Sequence, residues 1–365
     1  MSSPSTPMPH SVTRRGPPPA CSTSSLTVGR LSRTAGRRLS APVGCVGQAR
    51  RLERDIPSRH VRAWSARPRS RLTTQLKGEE MKLATFEHDG EILHGVIEGD
   101  RIAVAGPGDL RAVIEGAPLE RTGQVISVDA VRILAPLTNP GKVVAVAANY
   151  QEHVIEGGDR PREKSTATPR LFLKPDTTVV GDDAEVEIAS ITTQLDWEAE
   201  LAVVVGHLAK DVSETEALNF VFGYSTSNDI SARNLVTGAA RDGEAATDFF
   251  DWLAGKWLDG SAPFGPYVVT TDEILDPQKL AITLTVNGEP KQLGNTADMI
   301  HSVAEIISFT SRLMTLRPGD IILTGTPAGV GMATGTYLNP GDVVVAEIEG
   351  LGALTSRIVA PRNRG

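Results

Sequence analysis

Beyond Cys45 the chain has no cysteine; its only two, Cys21 and Cys45, lie in the first eighty residues. Disulfides, thiolate catalysis and cysteine-ligated zinc are therefore excluded for everything downstream. Long apolar runs are also missing, and none approaches the roughly 20 residues of a membrane span. The N-terminus lacks the basic, apolar and small-residue regions of a secretory signal. Basic residues are scarce after residue 80, with 22 Lys and Arg against 40 Asp and Glu, a net of −18. Such an acidic body argues against nucleic acid as a partner.

The first eighty residues are the opposite. They hold 15 Lys and Arg, of which only Lys77 is lysine, against the four acids Glu53, Asp55, Glu79 and Glu80. Rich in Arg, Ser and Pro and without apolar periodicity, this segment cannot bury enough surface to offset its chain entropy. Residues 1–80 are expected to be a disordered basic extension. They read as a mis-assigned start ahead of Met81, as a transit peptide, or as a tail for a polyanion. The first reading implies a cytoplasmic protein and the second a mitochondrial one.

A chain of 365 residues suggests two domains. Residues 81–135 alternate short apolar stretches with turns such as Asp89-Gly90 and Gly99-Asp100, which predicts strands and hairpins, with a short helix near 109–115. This is read as a small β-rich N-terminal domain. A larger unit, 136–361, opens with the apolar run Val143–Ala147 and carries further strands near 201–205, 220–226, 280–286, 321–326 and 343–348. Met299, Ile300, Val303, Ile306, Ile307 and Leu313 recur at helical spacing, which predicts a helix over 296–315. Strands outnumber helices and do not alternate with them, so the fold class is α+β.

The chemistry centres on Asp196-Trp197-Glu198-Ala199-Glu200. In a strand, residues i and i+2 face the same side, so Glu198 and Glu200 aim at one spot. Alone, such a pair reads more readily as two exposed side chains on an edge strand with no metal. Asp229, following a second predicted strand, offers a third carboxylate. An all-oxygen set suits Mg²⁺ or Mn²⁺, with Ca²⁺ able to substitute, rather than Zn²⁺.

His153 and Glu156 are neighbours if their segment is helical, and a carboxylate beside an imidazole makes a general base. His88, His94, His207 and His301 have no such local partner and read as structural. Lys256, between Trp252 and Trp257, could face a site or reach the surface. The glycine-rich stretch 324–331 predicts a loop whose N–H groups meet an anion, and it matches no nucleotide motif. Residues 237–250 read as an acidic loop.

In order, these segments resemble the fumarylacetoacetate hydrolase family. The matching pieces are Asn149-Tyr150 with His153 and Glu156, Phe172-Leu173-Lys174-Pro175, Asp196 to Leu201, Asn228-Asp229 to Arg233, Gly255-Lys256, Gly265-Pro266, and Leu323 to Gly331. The resemblance implies a mixed β-roll catalytic domain, a homodimer and a bound Mg²⁺ or Mn²⁺. It places Glu198, Glu200 and Asp229 at the metal, His153, Glu156 and Lys256 in catalysis, and Tyr150, Arg233 and Thr326 against substrate. It further implies hydrolysis of a carbon–carbon bond in a 2,4-dioxo acid of the acylpyruvate or fumarylpyruvate type, through a metal-stabilised enolate. Decarboxylation of a 2-oxo acid or isomerisation of a 2-hydroxydienoate is the alternative, and a member that only binds a metabolite is a second. One departure weakens the case for hydrolysis specifically and leaves the metal site untouched. The family often continues Ser-Ala-Arg-Asp-x-Gln, whereas Val236 stands here and cannot hold a water by a hydrogen bond.

Overall fold

The computed structural model describes residues 81–240 and 243–362. The expectation for residues 1–80 lies outside them. Among the described residues, no helix is long and apolar enough to cross a membrane.

The N-terminal strands Lys82–His88, Glu91–Glu98 and Arg101–Pro107 form an antiparallel meander. His88 pairs with Glu91 across the two-residue turn Asp89-Gly90, whose φ values of 51° and 79° are those such a tight hairpin needs. This meander does not close on itself. Lys82 and Leu83 pair with Val269 and Val268 of the strand Ala262–Thr270, so the meander extends a twelve-stranded sheet. That sheet continues through Val221–Asn228, Ala199–Val205, Ile321–Leu323 and Val143–Ala147 to the edge strand Arg170–Lys174. A second sheet of five strands includes Ala281–Val286, Val343–Ile348 and Gly352–Val359. The class is α+β and mostly strand, as the sequence implies.

The Ala199–Val205 strand is buried at every position. Leu201 and Val203 face a core shared with Ile282, Leu284 and Val344 of the second sheet and with Ile306 and Ile307 of the helix Val303–Leu313. Ala202 and Val204 face another core with Leu83, Phe222 and Leu323. Two-sided burial explains why this stretch is a continuous apolar run rather than an alternation.

Two elements depart from expectation. The predicted helix over 296–315 forms only from Val303, because Ser302 caps it and Glu305 returns the bond in a capping box. Thr296–Asp298 is a separate 3₁₀ turn. Within the predicted loop at 237–250 a helix begins, Ala245–Ala254. Phe249 and Trp252, three residues apart, stack with ring centroids 5.9 Å apart, which helical spacing allows.

Candidate active site

The register of two adjacent strands assembles the carboxylates. Ala199 pairs with Asn228 and Glu200 with Ser227. Just past the paired residues, the Asp229 N–H donates to the Glu198 carbonyl at 2.8 Å, and the Glu198 N–H donates to Asn228 Oδ1 at 2.9 Å. Glu198, Glu200 and Asp229 therefore converge, all buried, with one oxygen of each within 4.8 Å of the others. Three like charges so placed and removed from water require compensation.

Three cations supply part of it. Lys256 Nζ donates to Glu198 Oε2 at 2.7 Å and to Asp229 Oδ2 at 2.8 Å. Lys174 Nζ donates to Asp229 Oδ1 at 2.6 Å and to Ser261 Oγ at 3.1 Å. Arg233 donates through Nη2 to Glu198 Oε1 at 2.5 Å and through Nε to Asp196 Oδ2 at 2.8 Å. Burial would push the Glu198 carboxyl up, but Lys256 and Arg233 outweigh it and hold it well below the usual range. Burial would likewise lower the Lys256 ammonium, but Asp229 and Glu198 raise it above an ordinary lysine. At Lys174 burial wins over the attraction of Asp229, and its ammonium is lowered.

Glu200 is different. Among the described residues its carboxylate accepts one hydrogen bond, from the Gly325 N–H at 2.6 Å. Burial first, then Asp229 and Glu198, push its carboxyl well above the usual range. A hard divalent cation fits this set, because the donors are all oxygen and one buried carboxylate lacks a cationic partner.

His153 and Glu156 lie on the helix Gln151–Glu156, so their sequence spacing makes them neighbours. His153 Nδ1 stands 2.7 Å from Glu156 Oε1, and Glu156 Oε2 accepts the Gly329 N–H at 2.8 Å. A carboxylate only accepts, so Nδ1 carries the proton and Nε2 is left as the basic nitrogen.

His153, the three carboxylates, Lys256, Arg233 and Thr326 line one cavity of about 600 Å³. Tyr150 does not line it. This tyrosine is buried in the core, its hydroxyl unpartnered and its phenol pushed well up by burial and then by Glu200. The Thr326 hydroxyl is already engaged, donating to the Ala199 carbonyl and accepting from Gln292 Nε2, each at 2.8 Å. Asn234 and Leu235 line the cavity, whereas Val236 is exposed beyond it.

Two residues quoted within the sequence motifs, Lys174 and Asp196, had been given no role there. Lys174 shares a strand face with Phe172, and that period-2 relation was the available signal. Asp196 accepts N–H groups from Trp197, Gly331 and Met332 besides binding Arg233. The glycine-rich loop does present N–H groups to anions, as expected, but the anions are the protein's own. Gly325 serves Glu200, Gly329 serves Glu156, and Gly331 serves Asp196. Gly329 sits at φ 104°, and a Cβ there would come within 2.1 Å of the Lys291 carbonyl oxygen, so only glycine fits.

Residues 142–359 match the family model described as "Fumarylacetoacetate (FAA) hydrolase C-terminal", and residues 81–136 match "Rv2993c-like, N-terminal". The chain is 37% identical over 244 residues to a mitochondrial oxaloacetate tautomerase of Xenopus laevis, covering 66% of this chain and 72% of the relative. It is 33% identical to the crystal structure of a 2-hydroxyhepta-2,4-diene-1,7-dioate isomerase from Mycobacterium marinum, with a TM-score of 0.63 over 77% of this chain and 98% of that one. It is 37% identical to a fumarylacetoacetate hydrolase from Exiguobacterium antarcticum, with a TM-score of 0.66 over 77% of this chain and all of that one (100%).

Proposed function

The chain belongs to the fumarylacetoacetate hydrolase family, and from that premise we propose that it moves a proton between the enol and keto forms of a 2-oxo acid. The substrate class is a 2-hydroxydienoate or an enol of a 2-oxo acid, and the reaction is an isomerisation or tautomerisation. The observation that carries this reading is the His153–Glu156 pair, whose histidine lines the same cavity as the buried carboxylate triad. A divalent cation held by Glu198, Glu200 and Asp229 would supply electrostatic stabilisation of the negative charge that develops on the enolate oxygen. His153 Nε2 takes a proton from one position of the substrate and returns it at another. Glu156, itself held by the Gly329 N–H, keeps the proton on Nδ1 and steadies the imidazolium. Lys256 adds a fixed positive charge beside the triad. An isomerase among the structural relatives and a tautomerase among the sequence relatives support this reading.

Hydrolysis of a carbon–carbon bond in a 2,4-dioxo acid is the second reading, favoured by the same Nε2, which could equally take a proton from water. It is placed second because Val236 lies outside the cavity and Leu235 cannot hold a water. The two separate in one assay. A panel of 2-hydroxydienoates, oxaloacetate and acylpyruvates is followed in the ultraviolet with Mg²⁺ or Mn²⁺, while pyruvate and carbon dioxide are measured in parallel. Enol loss without pyruvate or carbon dioxide is expected. Pyruvate release from an acylpyruvate establishes the second reading instead, and consumption of nothing in the panel refutes both.

A further inference from the structure

Three cationic side chains line the cavity: Lys256, Arg233 and Arg170. Lys256 and Arg233 are committed to carboxylates. Arg170 is exposed, and among the described residues its side chain makes no hydrogen bond or ion pair. It opens the edge strand Arg170–Lys174, whose alternate residues share a face. Along that face Lys174 reaches Asp229, Phe172 forms the wall with Lys256 Nζ 5.3 Å from its ring centroid, and Arg170 stands at the mouth. One strand therefore runs from the carboxylate cluster to the rim.

A second guanidinium backs the first. Arg162 is held through Nη1 to the Ala148 carbonyl at 3.2 Å, and its Nη2 is buried without a partner. Burial first, then the charge of Arg170, lower the Arg162 guanidinium, with Asp159 opposing. Arg162 therefore lies close enough to feel the charge of Arg170, although it does not line the cavity. Asp159, Asp248 and Asp251 also line the cavity, and among the described lysines and arginines of that lining Arg170 alone is not bound to a carboxylate.

We propose that Arg170 binds a second, distal carboxylate of the substrate and so selects 2-oxo or 2-hydroxydienoic acids that carry two acid groups. The strand sets the length. Four residues of extended chain place the Cα of Arg170 about 13 Å from that of Lys174. A four-carbon diacid separates its carboxyl carbons by only about 4 Å, whereas a six- or seven-carbon one spans roughly 6–8 Å and leaves the rest to the arginine side chain. The site therefore favours the longer diacids over oxaloacetate. This inference deepens the proposed function and rests on the acid's 2-oxo end lying at the carboxylate cluster.

The test separates it from turnover. Affinities of Mn²⁺-loaded full-length protein for 2-oxoadipate and 2-oxohexanoate, which differ by one distal carboxylate, are measured by calorimetry. The wild type is expected to bind the diacid roughly tenfold more tightly, the size of one partly exposed charge-assisted contact. Arg170→Ala should bring the ratio near one, and Arg170→Lys should restore part of it. Thermal shift with Mn²⁺ reports that the variants are folded. Equal binding by the wild type, binding of neither acid, or a ratio that survives Arg170→Ala overturns the proposal. A preserved ratio in a protein that turns over no enol acid refutes the reaction and leaves Arg170 standing.

Discussion

Glu198 and Glu200 stand two residues apart, yet replacing each by glutamine should move the metal-free protein in opposite directions. Glu198 binds Lys256 and Arg233, so Glu198→Gln leaves two buried cations each short of a partner. Removing one side of a buried pair costs about 3–5 kcal/mol. The lower end applies here, because Lys256 keeps Asp229 and Arg233 keeps Asp196. At roughly 2 °C per kcal/mol in a chain of this size, Tm should fall by about 6 °C. Among the described residues Glu200 is in no ion pair, and burial, then Asp229 and Glu198, push its carboxyl up against the weaker pull of Lys256. Glu200→Gln keeps an oxygen for the Gly325 N–H and removes a repelled charge, so the metal-free Tm should hold or rise by a few degrees, about 1 kcal/mol. Metal reverses the comparison. At a hundredfold excess over Kd, a ligand specific for the native state adds about 2.7 kcal/mol, which the wild type should show as roughly 5 °C. Both variants should lose most of that gain. The assay is thermal unfolding in chelator and then in Mg²⁺ or Mn²⁺. If the two metal-free variants fall alike, or Glu200→Gln falls further, the assignment of compensating charges is wrong.

Three further outcomes follow from the same geometry. His153→Ala should lower kcat by about 10²–10⁴ while the metal-induced rise in Tm persists, because the imidazole moves protons and holds no metal; steady-state kinetics with thermal shift checks both. Asp196→Asn should cost roughly 2–4 kcal/mol in urea unfolding, since it weakens the buried Arg233 pair and leaves the Gly331 and Met332 N–H groups a poorer acceptor. Burial lowers the His301 imidazole, with Glu305 opposing and Lys164 and Arg162 assisting. A histidine lowered on folding gives stability that is full above its unfolded value near about 6.5 and is lost as pH falls from that value through the lower folded one. Tm should therefore drop between about pH 7.5 and 5.5 by more in the wild type than in His301→Gln, and parallel curves would exclude this.

The strands were legible because their burial is written as runs and alternations, as at Val143–Ala147 and Ala199–Val205. Helix limits were less so, since the start at Val303 depends on a cap and a return bond at Ser302 and Glu305 rather than on apolar spacing. The continuity of the meander with the large sheet was not legible at all. It depends on Lys82 and Leu83 meeting Val269 and Val268, residues far apart in the chain. The same holds for the site. Glu198 and Glu200 could be paired from i and i+2 alone, and His153 with Glu156 from i and i+3. Lys174 could not be joined to Asp229, because an edge strand brings them together across 55 residues of chain. Tyr150 shows the converse: neighbouring the dyad in sequence, it is buried and is not among the residues that line the cavity.

Charge balance connects these observations to the choice of ligand. The site holds four buried acids, Asp196, Glu198, Glu200 and Asp229, against three cations, Lys174, Arg233 and Lys256. Counted at full charge, one negative charge is in excess, and it falls on Glu200 because the other acids are paired. A divalent cation turns that excess into one positive charge. Excess charge of either sign is costly in a buried site. The negative excess therefore draws in a metal, and the positive excess that results draws in an organic anion. The order is imposed by the protein's own residues: a carboxylate arriving before the metal meets a negative cluster, and one arriving afterwards completes it. Affinity for a 2-oxo acid should accordingly collapse when the metal is removed, even though Lys256 and Arg233 remain in place, because both are already spent on Glu198, Asp229 and Asp196.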